Sequence, residues 1–232
     1  MFKIRIADLT AAIDNKYDYI EKMCADYIAP CSEKEDFSVS VSDAEISAEG
    51  DGEMSREYLE TLAVYRKIAA KLSDFGGFLM HGVLLDCSGH GILLCADSGT
   101  GKTTHAMLWL KLLGKKCRII NGDKPLIRIL GKNAYGYGTP WCGKEQINVN
   151  GKVPISAVCF LERSKENFAE GLEHGEILEN LLCHVHINVG NGLDNVLTAL
   201  DTAARGAKFY RIGCNMDISA AETAYSAVMG KK

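Results

Sequence analysis

Apolar and polar residues alternate at period two over residues 2–7 and 37–42, which predicts two short strands. Between them Ile20, Met23, Cys24 and Tyr27 recur at helical spacing, and Pro30 stops that helix. The acidic, glycine-containing stretch from Asp43 to Glu53 reads as a surface connection. Ser55 then caps a longer helix with Tyr58, Leu59, Leu62, Tyr65, Ala69 and Leu72 on its apolar face, and Gly76-Gly77 breaks it.

Two apolar runs follow, Phe78–Cys87 and Gly91–Cys95, joined by Ser88-Gly89-His90 as a tight strand-to-strand turn. The second run enters a glycine-rich segment, after which Thr103–Leu113 continues as a helix closed by Gly114. Strand patterns recur at 117–121, 126–130, 153–161 and 207–212, and helices near 176–184, 192–204 and 219–229. Asn191 and Gly206 bracket the middle one of these helices, and Ser219 with Glu222 has the spacing of a capping box. With no repeat, low-complexity tract or hinge, the pattern predicts one mixed α/β domain. Residues 1–75 form an N-terminal elaboration, 76–165 the core, and 166–232 a helical C-terminal part.

Composition narrows the function classes. A formal charge of −4 with no Lys/Arg-rich block leaves no electrostatic footprint for a nucleic-acid groove. The alternating N-terminus, broken by Asp8, reads as a short strand and not as a signal peptide, and no uncharged apolar run is long enough to span a membrane. The nine cysteines are scattered without metal-knuckle or redox-motif spacing, and Cys95, Cys117 and Cys159 sit within apolar runs. Reduced thiols in a cytoplasmic protein is the expectation.

The segment Ser98-Gly99-Thr100-Gly101-Lys102-Thr103-Thr104 carries the chemistry. It lies between a buried strand and a helix. Triphosphate binding needs converging backbone N–H groups, glycines that allow close approach, a lysine for the β/γ-phosphates and a hydroxyl for Mg²⁺. Gly99, Gly101, Lys102 and Thr103 supply these, although Ala96 stands where the usual motif has its first glycine. ATP and Mg²⁺ are therefore the expected ligands.

That seven-residue segment resembles the phosphate loop of ATP-dependent phosphoenolpyruvate carboxykinases. The order His81-Gly82-Val83, Gly89-His90-Gly91-Ile92-Leu93 and then the loop is similar to HPr kinase/phosphorylase. The resemblance covers residues 78–165 and implies a mixed-sheet P-loop fold of the carboxykinase/HPr-kinase type with flanking helices. It also implies homo-oligomers. Both families place paired aspartates where Asn121-Gly122-Asp123 stands, to hold the metal and activate the substrate hydroxyl; here the pair is Asp123-Lys124. The carboxykinases are more than twice as long. Gly143-Lys144-Glu145-Gln146-Ile147-Asn148-Val149 lies nearest to the HPr-contacting signature but lacks its arginine.

Asp123 ends an apolar strand, where a carboxylate can hold Mg²⁺ with Thr103 or act as base, although Asn-Gly-Asp also suits a plain surface turn. His81 interrupts an apolar strand and reads equally as a tuning partner of Asp123 or as a hydrogen-bonded core histidine. In Gly138–Glu145, Lys144 could meet the γ-phosphate and Glu145 the acceptor or metal, or both could form a surface ion pair. Cys183-His184-x-His186 reads as a helix end rather than a metal site, and Trp109, Leu110 and Leu113 as core. The expected function is an ATP/Mg²⁺-dependent kinase acting on a hydroxyl of a peptide or small metabolite. The alternative is a non-catalytic or weakly hydrolytic nucleotide-binding module.

Overall fold

The computed structural model describes residues 1–50, 52–186 and 192–230. The N-terminal part holds β1 (Phe2–Ile6), β2 (Leu9–Asp14), α1 (Asp18–Met23), β3 (Phe37–Ser40), α2 (Asp43–Ala48) and α3 (Arg56–Leu72). β1 and β2 pair antiparallel, and β2 pairs parallel with β3. Two departures from the sequence pattern occur here. β2 reads LTAAID and is buried on both faces up to its last residue, so it carries no alternation to detect. The acidic 43–53 stretch begins with a helix rather than a loop, because Ser42 and Glu45 close a reciprocal capping box around its first turn.

In α3 the Ser55 side chain accepts from the Tyr58 amide as expected. The buried stripe is Leu59, Val64, Tyr65, Ile68, Ala69 and Leu72, while Tyr58 is exposed. This stripe packs with the first three strands into one apolar cluster that also takes in Leu79, Leu126, Tyr137 and Trp141.

The rest comprises β4 (Gly77–Met80), β5 (Val83–Cys87), β6 (His90–Cys95), α4 (Lys102–Leu113), β7 (Cys117–Asn121), β8 (Leu126–Leu130), β9 (Asn133–Tyr137) and β10 (Lys152–Arg163). It ends with β11 (Phe168–Gly171), α5 (His174–His184), β12 (Val185–His186), α6 (Leu193–Gly206), β13 (Lys208–Cys214) and α7 (Ile218–Met229). Among the described residues the strands form a mixed ten-stranded sheet, in the order β12-β4-β8-β9-β10-β6-β5-β7, with β13 on β10 and β11 on β13. β6, β10 and β13 run parallel; the other pairings are antiparallel.

Period-two alternation sorts the side chains to two layers. Leu85, Ile92, Leu94 and Cys159 face Ala106 and Trp109 of α4 and Ala221 and Ala224 of α7. Leu84, Leu93, Val158 and Phe160 face Ile177 and Leu181 of α5 and Leu200 and Ala203 of α6. The mixed α/β class with a large sheet and flanking helices thus matches the expectation.

The apolar run 78–87 is two strands, split at His81-Gly82. The turn between β5 and β6 has positive φ at both Ser88 and Gly89, the signature of a type I′ hairpin. α7 starts from Asp217, and the Ser219 hydroxyl accepts from Asn167 instead of closing a box with Glu222. Asn191 lies outside the described residues; Gly192 stands at the start of α6. All nine cysteines are free thiols. Among the described residues, no helix is long and apolar enough to cross a membrane.

Candidate functional site

β6 delivers the chain into the loop at the carboxyl end of the parallel strands, where open α/β sheets bind their ligands. Ala96 is buried and is not among the non-glycine residues with positive φ, so an alanine fits where the usual motif has glycine. The conformational demand falls on Gly99 (φ 79°) and Gly101 (φ 114°). A Cβ at either would meet open space, so backbone conformation rather than crowding calls for glycine there. Gly101 caps α4, and the His105 amide donates to its carbonyl at 2.9 Å. Lys102, Thr103 and Thr104 form the first helical turn, whose N–H groups have no acceptor within the helix and point along its positive dipole end.

Lys102 is not solvent-facing. It is 9% exposed, and its Nζ donates to the Ala96 carbonyl at 2.8 Å. Burial lowers its pKa, opposed by the negative charges of Asp123 and Asp97. The ammonium is thus held against its own loop, within electrostatic reach of Asp123. From the next parallel strand, Arg163 at the end of β10 donates to the Gly99 carbonyl at 2.6 Å and clasps the loop from outside.

Asp123 follows β7 in a turn that the backbone and one buried amide hold together. Asn121 is fully buried; its Oδ1 accepts from the Asp123 and Lys124 amides at 2.9 and 2.7 Å. Its Nδ2 donates to the Thr139 carbonyl and hydroxyl. The Gly82 amide donates to the Asp123 carbonyl and the His81 amide to the His184 carbonyl, both at 2.8 Å. These bonds bring His81 Nε2 to 3.3 Å from Asp123 Oδ1. Burial pushes the Asp123 carboxyl up, but the hydrogen bond from His81 and the charges of Lys124, His81 and Lys102 outweigh it and leave the pKa lowered.

His184 stacks on Phe160 and lies within electrostatic reach of Asp97, His81 and Lys102. Spacing along the chain gives Asn121, Arg163 and His184 no role of their own: Asn121 has the letters of an ordinary turn, Arg163 is a single cation at a strand end, and His184 ends a helix.

The 138–145 loop divides in two. Trp141 is buried, stacks on Tyr65 with ring centroids 4.1 Å apart and donates from Nε1 to the Thr61 carbonyl. It anchors the loop to α3 rather than offering a surface to a ligand. Beyond it, Gly143 (φ 83°) abuts Asp123: a Cβ added there would lie 3.0 Å from the Asp123 Cβ. Lys144 and Glu145 follow on the exposed tip. Ser98 and Thr104 are exposed at the loop rim, and Thr100 and Thr103 are half-buried.

No group of three or more His, Cys, Asp or Glu side chains is gathered for a metal among the described residues. Magnesium does not require one, since it is commonly held by one or two protein oxygens, phosphates and water. The Thr103 hydroxyl and the Asp123 carboxylate are hard oxygen donors of that kind.

No protein-family model matches the chain, and no curated protein does. Among solved structures, the HPr(Ser) kinase/phosphatase from Coxiella burnetii aligns with 66% of this chain and 99% of its own, at a TM-score of 0.37 and 8% identity. That is a distant likeness only.

Proposed function

We propose that this chain is an ATP- and Mg²⁺-dependent kinase that transfers the γ-phosphoryl group to a hydroxyl, on a serine-containing peptide or a small metabolite. One observation carries the reading. A glycine loop and helix N-terminus with a buried lysine meet, at the carboxyl end of the parallel strands, an ionised carboxylate paired with a histidine. The order of motifs from His81 to Asp123, which resembles HPr kinase/phosphorylase, supports the same reading and its carboxykinase-like fold type.

In this scheme the loop amides and Lys102 hold the β/γ-phosphates, and Thr103 and Asp123 hold the metal. Mg²⁺, when bound, neutralises charge on the phosphate oxygens. Asp123 accepts the acceptor's proton on Oδ as the hydroxyl attacks, with His81 holding the carboxylate in place. Lys144 balances charge developing on the transferred group, and Glu145 orients the acceptor. Phosphoryl transfer asks mainly for positioning and electrostatics, so this small set suffices.

Asp123-Lys124, a single carboxylate where two would divide the work, favours a second reading: a nucleotide-binding module with weak hydrolysis. The two separate by experiment. γ-Labelled ATP incubated with the protein and a cell extract should put label on a specific acceptor, with ADP production rising as that acceptor is added. ADP production that no acceptor stimulates, alongside firm nucleotide binding, rejects the kinase in favour of the module.

A further inference from the structure

A cleft of about 510 Å³, within the roughly 300–1,000 Å³ usual for small-molecule sites, opens beside the phosphate loop, and Lys102 is not among its walls. Its walls are the 99–101 turn, Thr104 and His105 of α4, Arg163 at the end of β10, and Asn215 and Met216 after β13. It therefore sits across the carboxyl ends of all three parallel strands, and neither Asp123 nor His81 is among its walls.

His105 is the anomaly in this cleft. It is 2% exposed, and neither ring nitrogen has a hydrogen-bond partner among the described residues. Buried polar atoms are normally paired, and an orphaned donor and acceptor together are costly to keep. An apolar side chain would fill the same place in the stripe Ala106, Trp109 without that cost. A neutral imidazole in that place has one N–H donor and one bare acceptor nitrogen to offer. Met216, also a wall of this cleft, is 79% exposed and offers it an apolar plate. A planar heterocycle bearing hydroxyls would satisfy both features.

We infer that this cleft receives the nucleoside of the bound triphosphate and that His105 reads it through its two ring nitrogens. The phosphate chain then runs over the loop toward Asp123, base on one side and transferable phosphate on the other. This inference rests on the loop's reading as a triphosphate site and adds to it the residue that distinguishes a nucleotide from bare phosphate.

Titration calorimetry with ATP and with inorganic tripolyphosphate, each with Mg²⁺, tests it on the wild-type chain, His105→Leu and His105→Gln. Wild type should bind ATP about tenfold or more tighter than tripolyphosphate, the size of one or two buried hydrogen bonds. His105→Leu should lose most of that margin with tripolyphosphate affinity unchanged, and His105→Gln, which keeps a donor and an acceptor, should recover part of it. A margin that survives His105→Leu, or wild type binding both ligands equally, overturns the inference and leaves the loop's role standing. Wild type binding neither ligand overturns the loop's role and this inference together. Should His105→Leu not fold, ring ¹⁵N resonances of the unmodified protein decide. The His105 signals should shift with ATP and stay still with tripolyphosphate; equal responses reject the assignment.

Discussion

His81 Nε2 lies 3.3 Å from Asp123 Oδ1, and each is held there by a main-chain hydrogen bond from or to its neighbouring segment. Residues 42 apart in sequence thus form one acid–base pair beside Lys102. Asp123→Asn keeps the size and some metal coordination but cannot take a proton. Nucleotide affinity should stay near wild type while turnover falls about a hundredfold or more. Steady-state kinetics beside calorimetry check this, and near-normal turnover would take Asp123 out of both roles.

Lys102→Ala should lower ATP affinity about a hundredfold or more, because the only loop cation is removed. The fold should survive. The lost bond to the Ala96 carbonyl costs about 1 kcal/mol, and a partly desolvated charge disappears with it. Wild-type affinity in this variant, by calorimetry, would mean that the loop does not hold phosphate.

Asn121→Ala tests whether the Asp123 turn is built by the buried amide. It strips acceptors from two N–H groups and a donor from Thr139. Loss of such a network should cost about 2–4 kcal/mol in urea unfolding. Turnover should fall further than nucleotide affinity, since the loop and Lys102 are untouched. Equal falls in both would mean that Asn121 supports the fold alone.

Trp141 belongs to the packing, so its emission should be blue and indifferent to ligand. In a Trp109→Phe background, Mg·ATP should leave the Trp141 spectrum unchanged, and Trp141→Ala should destabilise by about 3–5 kcal/mol. A nucleotide-dependent spectral change would place the indole nearer the ligand than its stack on Tyr65 allows. Lys144→Ala, at the exposed tip of the same loop, should lower kcat more than affinity.

Stability should fall on mild acidification, and His105 sets part of that slope. Its folded pKa of about 4 lies below the ordinary value near 6.5, so between the two the unfolded chain binds the extra proton. Stability is therefore full above about pH 6.5 and is lost as pH falls, by about 2 kcal/mol at pH 5 from this group. His184 and His186, lowered by burial, add in the same direction. The loss from Asp123, whose pKa is also lowered, begins only below about pH 4. Urea midpoints at pH 7 and pH 5 should converge in His105→Leu relative to wild type; an unchanged gap would mean the imidazole titrates normally.

The sequence by itself determined what is local. The phosphate loop, its strand and helix, the Ser55 cap and the Ser88-Gly89 turn each depend on neighbours within a few residues, so propensity, periodicity and φ demands are written in consecutive letters. Strands of the kind of β2 escaped because a segment buried on both faces shows no alternation, and α2 because one capping box outweighed an acidic, loop-like composition. Tertiary structure alone decided what spans the chain. Sheet order brought Gly82 to Asp123, the carboxyl ends of β6, β10 and β13 gathered Arg163, His105 and Asn215 around one cleft, and the stack on Tyr65 turned Trp141 inward. Such contacts depend on strand pairing and on which face of a sheet a helix covers, and neither is encoded in the spacing of residues along one segment.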